Sequence, residues 1–141
     1  MAGKDAYLDH LASVPLFSAL SRKELQRLAR ASDEVTVGAG HELTREGDVG
    51  REMFVLVSGQ ATAKRNGRKV ASLGPGAAVG ELSLLDRGPR TATVTTDTES
   101  TLLVMASREF SGVLEDIPSI AHKLLATLAG RIRELDAKIY G

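Results

Sequence analysis

No cysteine occurs in this 141-residue chain, which excludes disulfide bonds and thiol chemistry. Long hydrophobic runs are also missing: no window approaches the roughly 18 apolar residues of a membrane span, and the first residues lack the apolar core of a signal peptide. Basic and acidic residues balance at 18 each, so no net charge attracts nucleic acid or an anionic membrane surface. We therefore expect a cytoplasmic protein with no nucleic-acid partner and no membrane partner.

The usual sequence markers of catalysis are absent as well. His10, His41 and His122 lie in separate segments, and none forms a short metal-ligand motif with another histidine or a carboxylate. There is no G-x-S-x-G motif of serine esterases and no G-x-x-x-x-G-K-[ST] motif of nucleoside triphosphatases. We expect no catalytic residue, no metal site and no cofactor, so the chain is not predicted to be an enzyme.

Both ends of the chain show helical periodicity. Tyr7, Leu8 and Leu11 suit a short helix that ends before Pro15, and Ser21 with Glu24 forms a capping box for a second helix. Near the other end, Ser107 is predicted to cap a helix, and Pro118 to open a longer one. The longer helix carries an apolar stripe: Ile120, Ala121, Leu124, Leu125, Leu128, Ile132, Leu135 and Ile139.

Alternating apolar and polar residues between the helices predict short strands. The predicted strands are 35–37, 53–57, 60–65, 69–73, 91–96 and 101–105. Asn66-Gly67 lies between two of them and is the strongest hairpin signal, because both positions tolerate a positive φ. Short strands at this spacing are typical of a barrel or a sandwich.

The segment 79–94 combines an acid, a base and a Gly-Pro turn. A helix-like turn begins at Gly80, and its first N–H groups lack intrahelical acceptors, so they can point at an anion. The planar guanidinium of Arg90 suits a pair of phosphate oxygens. An ionised Glu81 only accepts hydrogen bonds, so its expected partner is a ligand hydroxyl. A sugar phosphate fits both residues, whereas the alternative is a surface salt bridge of little energetic value.

The runs 79–85 (VGELSLL) and 89–94 (PRTATV) resemble the phosphate-binding cassette of the cyclic nucleotide-binding domain family. Segments 14–21, 46–48 and 54–59 are similar to other parts of that family, whose members include catabolite activator proteins and protein kinase A regulatory subunits. The resemblance implies that Glu81 holds the ribose 2′-hydroxyl and Arg90 the cyclic phosphate, assisted by backbone N–H groups near Gly80, Leu82 and Ser83. Thr91 and Ala92 complete the predicted ligand-binding set.

The resemblance also implies the fold, an α+β domain built on an eight-stranded antiparallel β-roll with helices at both ends. We expect one domain over 1–141, with a helical segment 1–31, the β-roll 32–106 and C-terminal helices 107–141. The first half of the last helix is expected to cover the roll. Its second half, from Ile132 to Tyr140, extends past that need, which favours a lid or a partner contact over a frayed terminus. Leu135, Ile139 and Tyr140 are the candidate base-facing lid residues.

The function implied is that of a regulatory module that binds a cyclic purine mononucleotide and couples binding to movement of the C-terminal helix. We favour cAMP over cGMP as the ligand, although a hydroxyl at the position of Thr91 accompanies cGMP recognition in parts of the family. Further expected partners are a second copy of the chain through the C-terminal helix, or an effector protein. The alternative is a domain of the same fold that has lost its ligand and acts as a protein interaction module.

Overall fold

A computed structural model describes residues 7–140, without the side chain of Tyr140. The helices are α1 (Leu8–Ala12), α2 (Arg22–Arg30), α3 (Ser83–Asp86), α4 (Ser107–Asp116) and α5 (Pro118–Tyr140), with a 3-10 turn at Pro15–Phe17. The strands are β1 (Asp33–Val37), β2 (Glu42–Thr44), β3 (Glu52–Ser58), β4 (Ala61–Arg65), β5 (Arg68–Leu73), β6 (Ala78–Val79), β7 (Thr93–Thr96) and β8 (Ser100–Ala106). The predicted antiparallel β-roll with helices at both ends is confirmed.

Two four-stranded antiparallel sheets form the roll, in the orders β1-β8-β3-β6 and β2-β7-β4-β5. The inner face of the first sheet is centred on Phe54, and that of the second on Ala61 and Val94. Leu43, Leu73 and Val79 pack against both of these clusters. The two sheets therefore enclose a single apolar interior.

The largest apolar cluster lies between the roll and the helices. In β3, Met53 and Val55 are buried in it, whereas Phe54 faces the interior of the roll. This strand is apolar at consecutive positions because alternate residues point to opposite faces and both faces are covered. On the helical side, the rings of Phe17 and Phe110 lie with their centroids 6.3 Å apart.

Local sequence signals were reliable where one or two residues decide the geometry. Asn66 and Gly67 have φ values of 53° and 76°, which join β4 to β5 as the predicted hairpin. Ser21 Oγ accepts from the Glu24 N–H at 3.2 Å, and the Glu24 carboxylate accepts from the Ser21 N–H at 2.7 Å, so the predicted capping box is present. The prediction for Ser107 is wrong: Ala106 is the N-cap of α4, and Ser107 is its first helical residue.

The periodicity missed β2 and β6, which have three and two residues, because strands this short cannot show alternation. The strand predicted at 91–96 begins only at Thr93. Upstream of it, the carbonyl of Thr91 accepts from Arg65 Nε at 2.9 Å, and that of Ala92 from Thr44 Oγ1 at 2.9 Å.

Helix α5 divides into an anchored first half and an exposed second half. Ile120 and Leu124 are buried, and the Glu24 carboxylate on α2 accepts from Lys123 Nζ at 2.6 Å and Ser119 Oγ at 2.7 Å. Burial raises the pKa of Glu24. The hydrogen bonds from Lys123, Ser21 and Ser119 lower it by a larger amount, so the net pKa is about 2. In the second half, Ile132 is 64% exposed. Among the helices of residues 7–140, none is long and apolar enough to cross a membrane.

Candidate functional site

The segment between β6 and β7 changes direction at two left-handed residues. Gly80 has a φ of 74° and leads into the four-residue helix α3, and Arg87 has a φ of 53° and ends it. After this turn, Pro89 forms an isolated bridge with Val49 on the loop between β2 and β3. The chain thus returns across the roll and presents Arg90 beside the start of its own turn.

Arg90 is partly buried and held at both its backbone and its side chain. Its Nη1 donates to Ser83 Oγ at 3.1 Å, which fixes the guanidinium against α3. Burial lowers the pKa of Arg90, and the charge of the Glu52 carboxylate opposes that effect by raising it. An arginine in a protein remains protonated at neutral pH, so the site offers a fixed positive charge.

The loop between β2 and β3 holds the backbone around Arg90. The Arg90 N–H donates to the carbonyl of Asp48 at 2.7 Å, the Gly47 N–H donates to the carbonyl of Arg90 at 2.9 Å, and the Gly50 N–H donates to the carbonyl of Gly88 at 3.1 Å. Sequence reasoning missed this supporting role, because the contacts are far apart in the chain. The glycines at 47 and 50 were the available signal.

Two glycines make room for the arginine and the serine. A Cβ on Gly80 would overlap Arg90 Nη1, and a Cβ on Gly50 would overlap Ser83 Oγ and lie 2.9 Å from Arg90 Nη1. Such approaches are closer than real Cβ atoms allow. The geometry of Arg90 therefore requires glycine at both positions.

Two adjoining hollows of about 240 and 220 Å³ open beside Arg90. Gly80, Glu81, Arg90 and Thr91 line both of them. The first is completed by cassette residues: Leu82, Ser83, Asp86, Gly88 and Pro89. The second is completed by mostly apolar residues of the roll: Thr44, Ala63, Leu73, Ala78, Val79, Ala92 and Val94. A ligand with a charged end and an apolar end matches this pair.

Glu81 and Arg90 face the same space without bonding to each other. Among residues 7–140, the carboxylate of Glu81 takes part in no salt bridge or hydrogen bond, so the interpretation of the two residues as a surface salt bridge is wrong. In the same turn, the Ser83 N–H donates to the carbonyl of Gly80 at 3.0 Å, whereas no described protein acceptor takes the N–H of Leu82. The predicted acid and base are thus both open to a ligand.

The structure does not bring the candidate lid residues to these hollows. Leu135 is 58% exposed and Ile139 is 71% exposed, and neither lines either hollow. The side chain of Tyr140 lies outside the described residues. A base-facing role for these three residues stays a prediction.

Comparison with known proteins decides the family. The model of the Cyclic nucleotide-binding domain family matches residues 34–116. The chain belongs to this family. The match runs from β1 to the end of α4 and includes the whole cassette from Gly80 to Ala92, so the resemblance stated from the sequence is confirmed.

Relatives of this cyclic nucleotide-binding domain come from bacteria and eukaryotes. The Cyclic AMP receptor protein of Thermus thermophilus is 31% identical over 130 residues, which cover 89% of this chain but only 60% of that protein. The crystal structure of the N-terminal domain of a transcriptional regulator from Streptomyces coelicolor matches with a TM-score of 0.84 and 37% identity, covering 92% of this chain and 96% of that chain. The regulatory domain of Toxoplasma gondii PKA, solved with cAMP, matches with a TM-score of 0.72 and 33% identity, covering 80% of this chain and 45% of that one.

Proposed function

We propose that this domain binds a cyclic purine mononucleotide, cAMP in preference to cGMP, and works as a regulatory module rather than as a catalyst. One observation carries the proposal: Arg90 and Glu81 line the same two hollows, and no salt bridge or hydrogen bond joins their side chains. A positive charge and a hydrogen-bond acceptor side by side suit a ligand with a phosphate next to a free hydroxyl. A cyclic nucleotide has this pair on its ribose.

The cyclic phosphate is assigned to the first hollow. There the guanidinium of Arg90 meets the phosphate oxygens, Ser83 Oγ keeps it aligned from 3.1 Å, and the N–H of Leu82 adds a donor. Glu81 accepts from the 2′-hydroxyl. A partly buried arginine loses hydration and regains favourable interactions when an anion arrives, so the empty site favours ligand binding.

The purine base is assigned to the second hollow, where Leu73, Val79 and Val94 supply apolar contacts. The preference for cAMP is supported by two relatives: the Thermus protein is named a cyclic AMP receptor protein, and the Toxoplasma domain was solved with cAMP. Thr91 is exposed and lines both hollows; because a hydroxyl at its position accompanies cGMP recognition in parts of the family, it is the residue that bears on the choice of base. A competition titration with both nucleotides measures the preference, and tighter binding of cGMP would contradict it.

Calorimetry on the Arg90→Ala variant tests the proposal. Loss of one charge-assisted contact, worth roughly 1.5–3 kcal/mol, should weaken cAMP binding by about 10- to 100-fold. The matched control is Arg68→Ala, which removes the same charge from an exposed position on β5 and should leave affinity unchanged. Glu81→Ala, which removes the acceptor for the 2′-hydroxyl, should weaken cAMP binding and should bind cAMP and its 2′-deoxy analogue about equally. Wild-type affinity in Arg90→Ala would show that the site is misassigned.

Coupling to α5 is the regulatory part of the proposal. Ligand binding shifts an equilibrium between two positions of the helix by no more than the ligand's differential affinity for the two states. Amide hydrogen exchange of α5 with and without cAMP measures this shift between the two helix positions. Unchanged protection along the helix would refute the coupling. The alternative is that the domain no longer binds a ligand and acts as a protein interaction module. In that case no cyclic nucleotide should raise its melting temperature.

An apolar stripe along α5, exposed at Leu125, Ile132, Leu135 and Ile139, supports a homodimer. Leu128 belongs to the same stripe but also packs partly against the core. Leu125, Leu128, Ile132, Leu135 and Ile139 follow each other at steps of three and four residues. These are the a and d positions of a heptad repeat, with Ile132 and Ile139 at a and Leu128 and Leu135 at d. Isoleucine at a with leucine at d favours a parallel coiled coil of two helices. Sedimentation equilibrium measures the oligomeric state, and a protein that stays monomeric at high concentration would contradict the proposal. The cytoplasmic location stays a prediction.

A further inference from the structure

A third hollow, of about 450 Å³, lies between the loop that follows α3 and the start of α4. Its lining consists of Val49, Arg51, Arg87, Ala106, Ser107 and Arg108. It shares no lining residue with the two hollows beside Arg90. Three of the lining side chains are arginines, and none is acidic. We call it the arginine hollow.

The three arginines have no anionic partner within the described part of the chain. Arg51, Arg87 and Arg108 are exposed, and none of them forms an ion pair with a residue of 7–140. Like charges around one hollow repel each other, and an anion between them removes that repulsion. Guanidinium groups are also the side chains whose geometry best matches the oxygens of a phosphate.

Ser107 provides a second and independent sign of a ligand. It is only 5% exposed and lines the hollow, yet its hydroxyl makes no hydrogen bond with any described residue and does not cap α4. No fully buried side-chain nitrogen or oxygen among residues 7–140 lacks a hydrogen-bond partner, so the small exposed part of Ser107 includes its hydroxyl oxygen. Its position in the lining makes the hydroxyl available to an occupant of the hollow.

The start of α4 adds backbone donors at the same place. The Ser107 N–H is taken by the carbonyl of Arg51 at 2.8 Å. The following N–H groups, of Arg108 and Glu109, have no intrahelical acceptor because they belong to the first turn of a ten-residue helix. The positive end of the helix dipole therefore points toward the arginine hollow.

We propose that the arginine hollow is a second anion site that takes a ligand with two or more linked phosphate groups. Three guanidiniums, one hydroxyl and the start of a helix supply more donors than a single phosphate uses, and the hollow is larger than either of those beside Arg90. Arg87 lies between Asp86 and Gly88, which line the first hollow. The second site therefore adjoins the cassette but is separate from it.

Titration of inorganic pyrophosphate into the 15N-labelled 141-residue chain tests the proposal by NMR. We expect saturable shifts of the amides of Arg51, Arg87, Arg108 and Glu109. Arg108→Gln should weaken binding by roughly tenfold, through the loss of one charged hydrogen bond. The matched control is Arg68→Gln, which removes the same charge from β5, and both variants are exposed-site changes whose melting temperatures should equal that of the wild type.

Three results would overturn the proposal. The absence of saturable shifts at millimolar pyrophosphate means that no site exists. Equal weakening in Arg68→Gln means that the anion is attracted by general surface charge. Shifts confined to the turn from Glu81 to Ser83 mean that pyrophosphate occupies the cyclic nucleotide site instead. None of these results depends on whether cAMP binds, so this proposal and the proposed function fail separately.

Discussion

The contact between Gly80 and Arg90 allows the site to be disturbed by a single methyl group. In Gly80→Ala the new Cβ would overlap Arg90 Nη1, and would lie 3.3 Å from the carbonyl oxygen of Glu52. The guanidinium is the end of a flexible side chain, so it can move aside at little cost in stability. It then leaves Ser83 and the position from which it meets a phosphate.

Two effects of this substitution can be estimated separately. Alanine at a φ of 74° costs about 1–2 kcal/mol of folding stability, because the left-handed region is unfavourable for residues with a Cβ. Displacement of Arg90 should weaken cAMP binding by about 10- to 100-fold, the effect of losing one charge-assisted contact of roughly 1.5–3 kcal/mol. The affinity loss should therefore approach that of Arg90→Ala.

Gly40→Ala is the matched control, since Gly40 has a φ of 78° and no heavy atom within 4 Å of an added Cβ. Urea denaturation should give the two variants a similar loss of stability, whereas calorimetry with cAMP should show an affinity loss only for Gly80→Ala. Wild-type affinity in Gly80→Ala would refute the assigned role of Arg90. An equal affinity loss in Gly40→Ala would show that backbone strain alone explains the effect.

Two further predictions concern α5. The pKa of Glu24 falls from 4.5 to about 2 on folding, so its contribution is present above pH 4.5 and is lost as the pH falls toward 2; at pH 7 it amounts to no more than about 3 kcal/mol. Glu24→Gln should lower the free energy of unfolding at pH 7 and flatten its pH dependence in that window, measured by urea denaturation across pH, and an unchanged slope would contradict the assignment. Ile132→Asp should leave the melting profile of the roll intact but convert the dimer to a monomer in sedimentation equilibrium. The control is Arg133→Ala at the exposed neighbouring position, which should remain dimeric. A dimer that persists in Ile132→Asp would exclude the heptad contact.

The sequence predicted those features that a few neighbouring residues determine. The hairpin at Asn66-Gly67 and the capping box at Ser21 depend on one turn of backbone each, so local chemistry was enough. The cassette could be recognised because the runs 79–85 and 89–94, which carry Glu81 and Arg90, resemble the family's motif. Ser107 misled because a serine one residue inside a helix and a serine at its N-cap give the same sequence pattern.

Contacts between distant segments could not be predicted in this way. The hydrogen bonds from Gly47 and Gly50 to the segment at 88–90 join two loops. The sequence of neither loop indicates that the other is its partner. The effect of Glu52 on Arg90 depends on how β3 meets the cassette. The arginine hollow unites positions 51, 87 and 108, each of which is an ordinary surface arginine when taken alone.

The unbroken length of α5 gives it a mechanical property. Leu124 is anchored in the core and Tyr140 ends the helix sixteen positions later, a lever arm of about 24 Å at a rise of 1.5 Å per residue. A tilt of roughly 10° at the anchor would displace the far end by about 4 Å, without breaking any hydrogen bond within the helix. A sub-ångström adjustment near the roll would thus move the far end of the helix by a distance comparable to the width of a side chain. Any molecule in contact with that end would experience the larger movement.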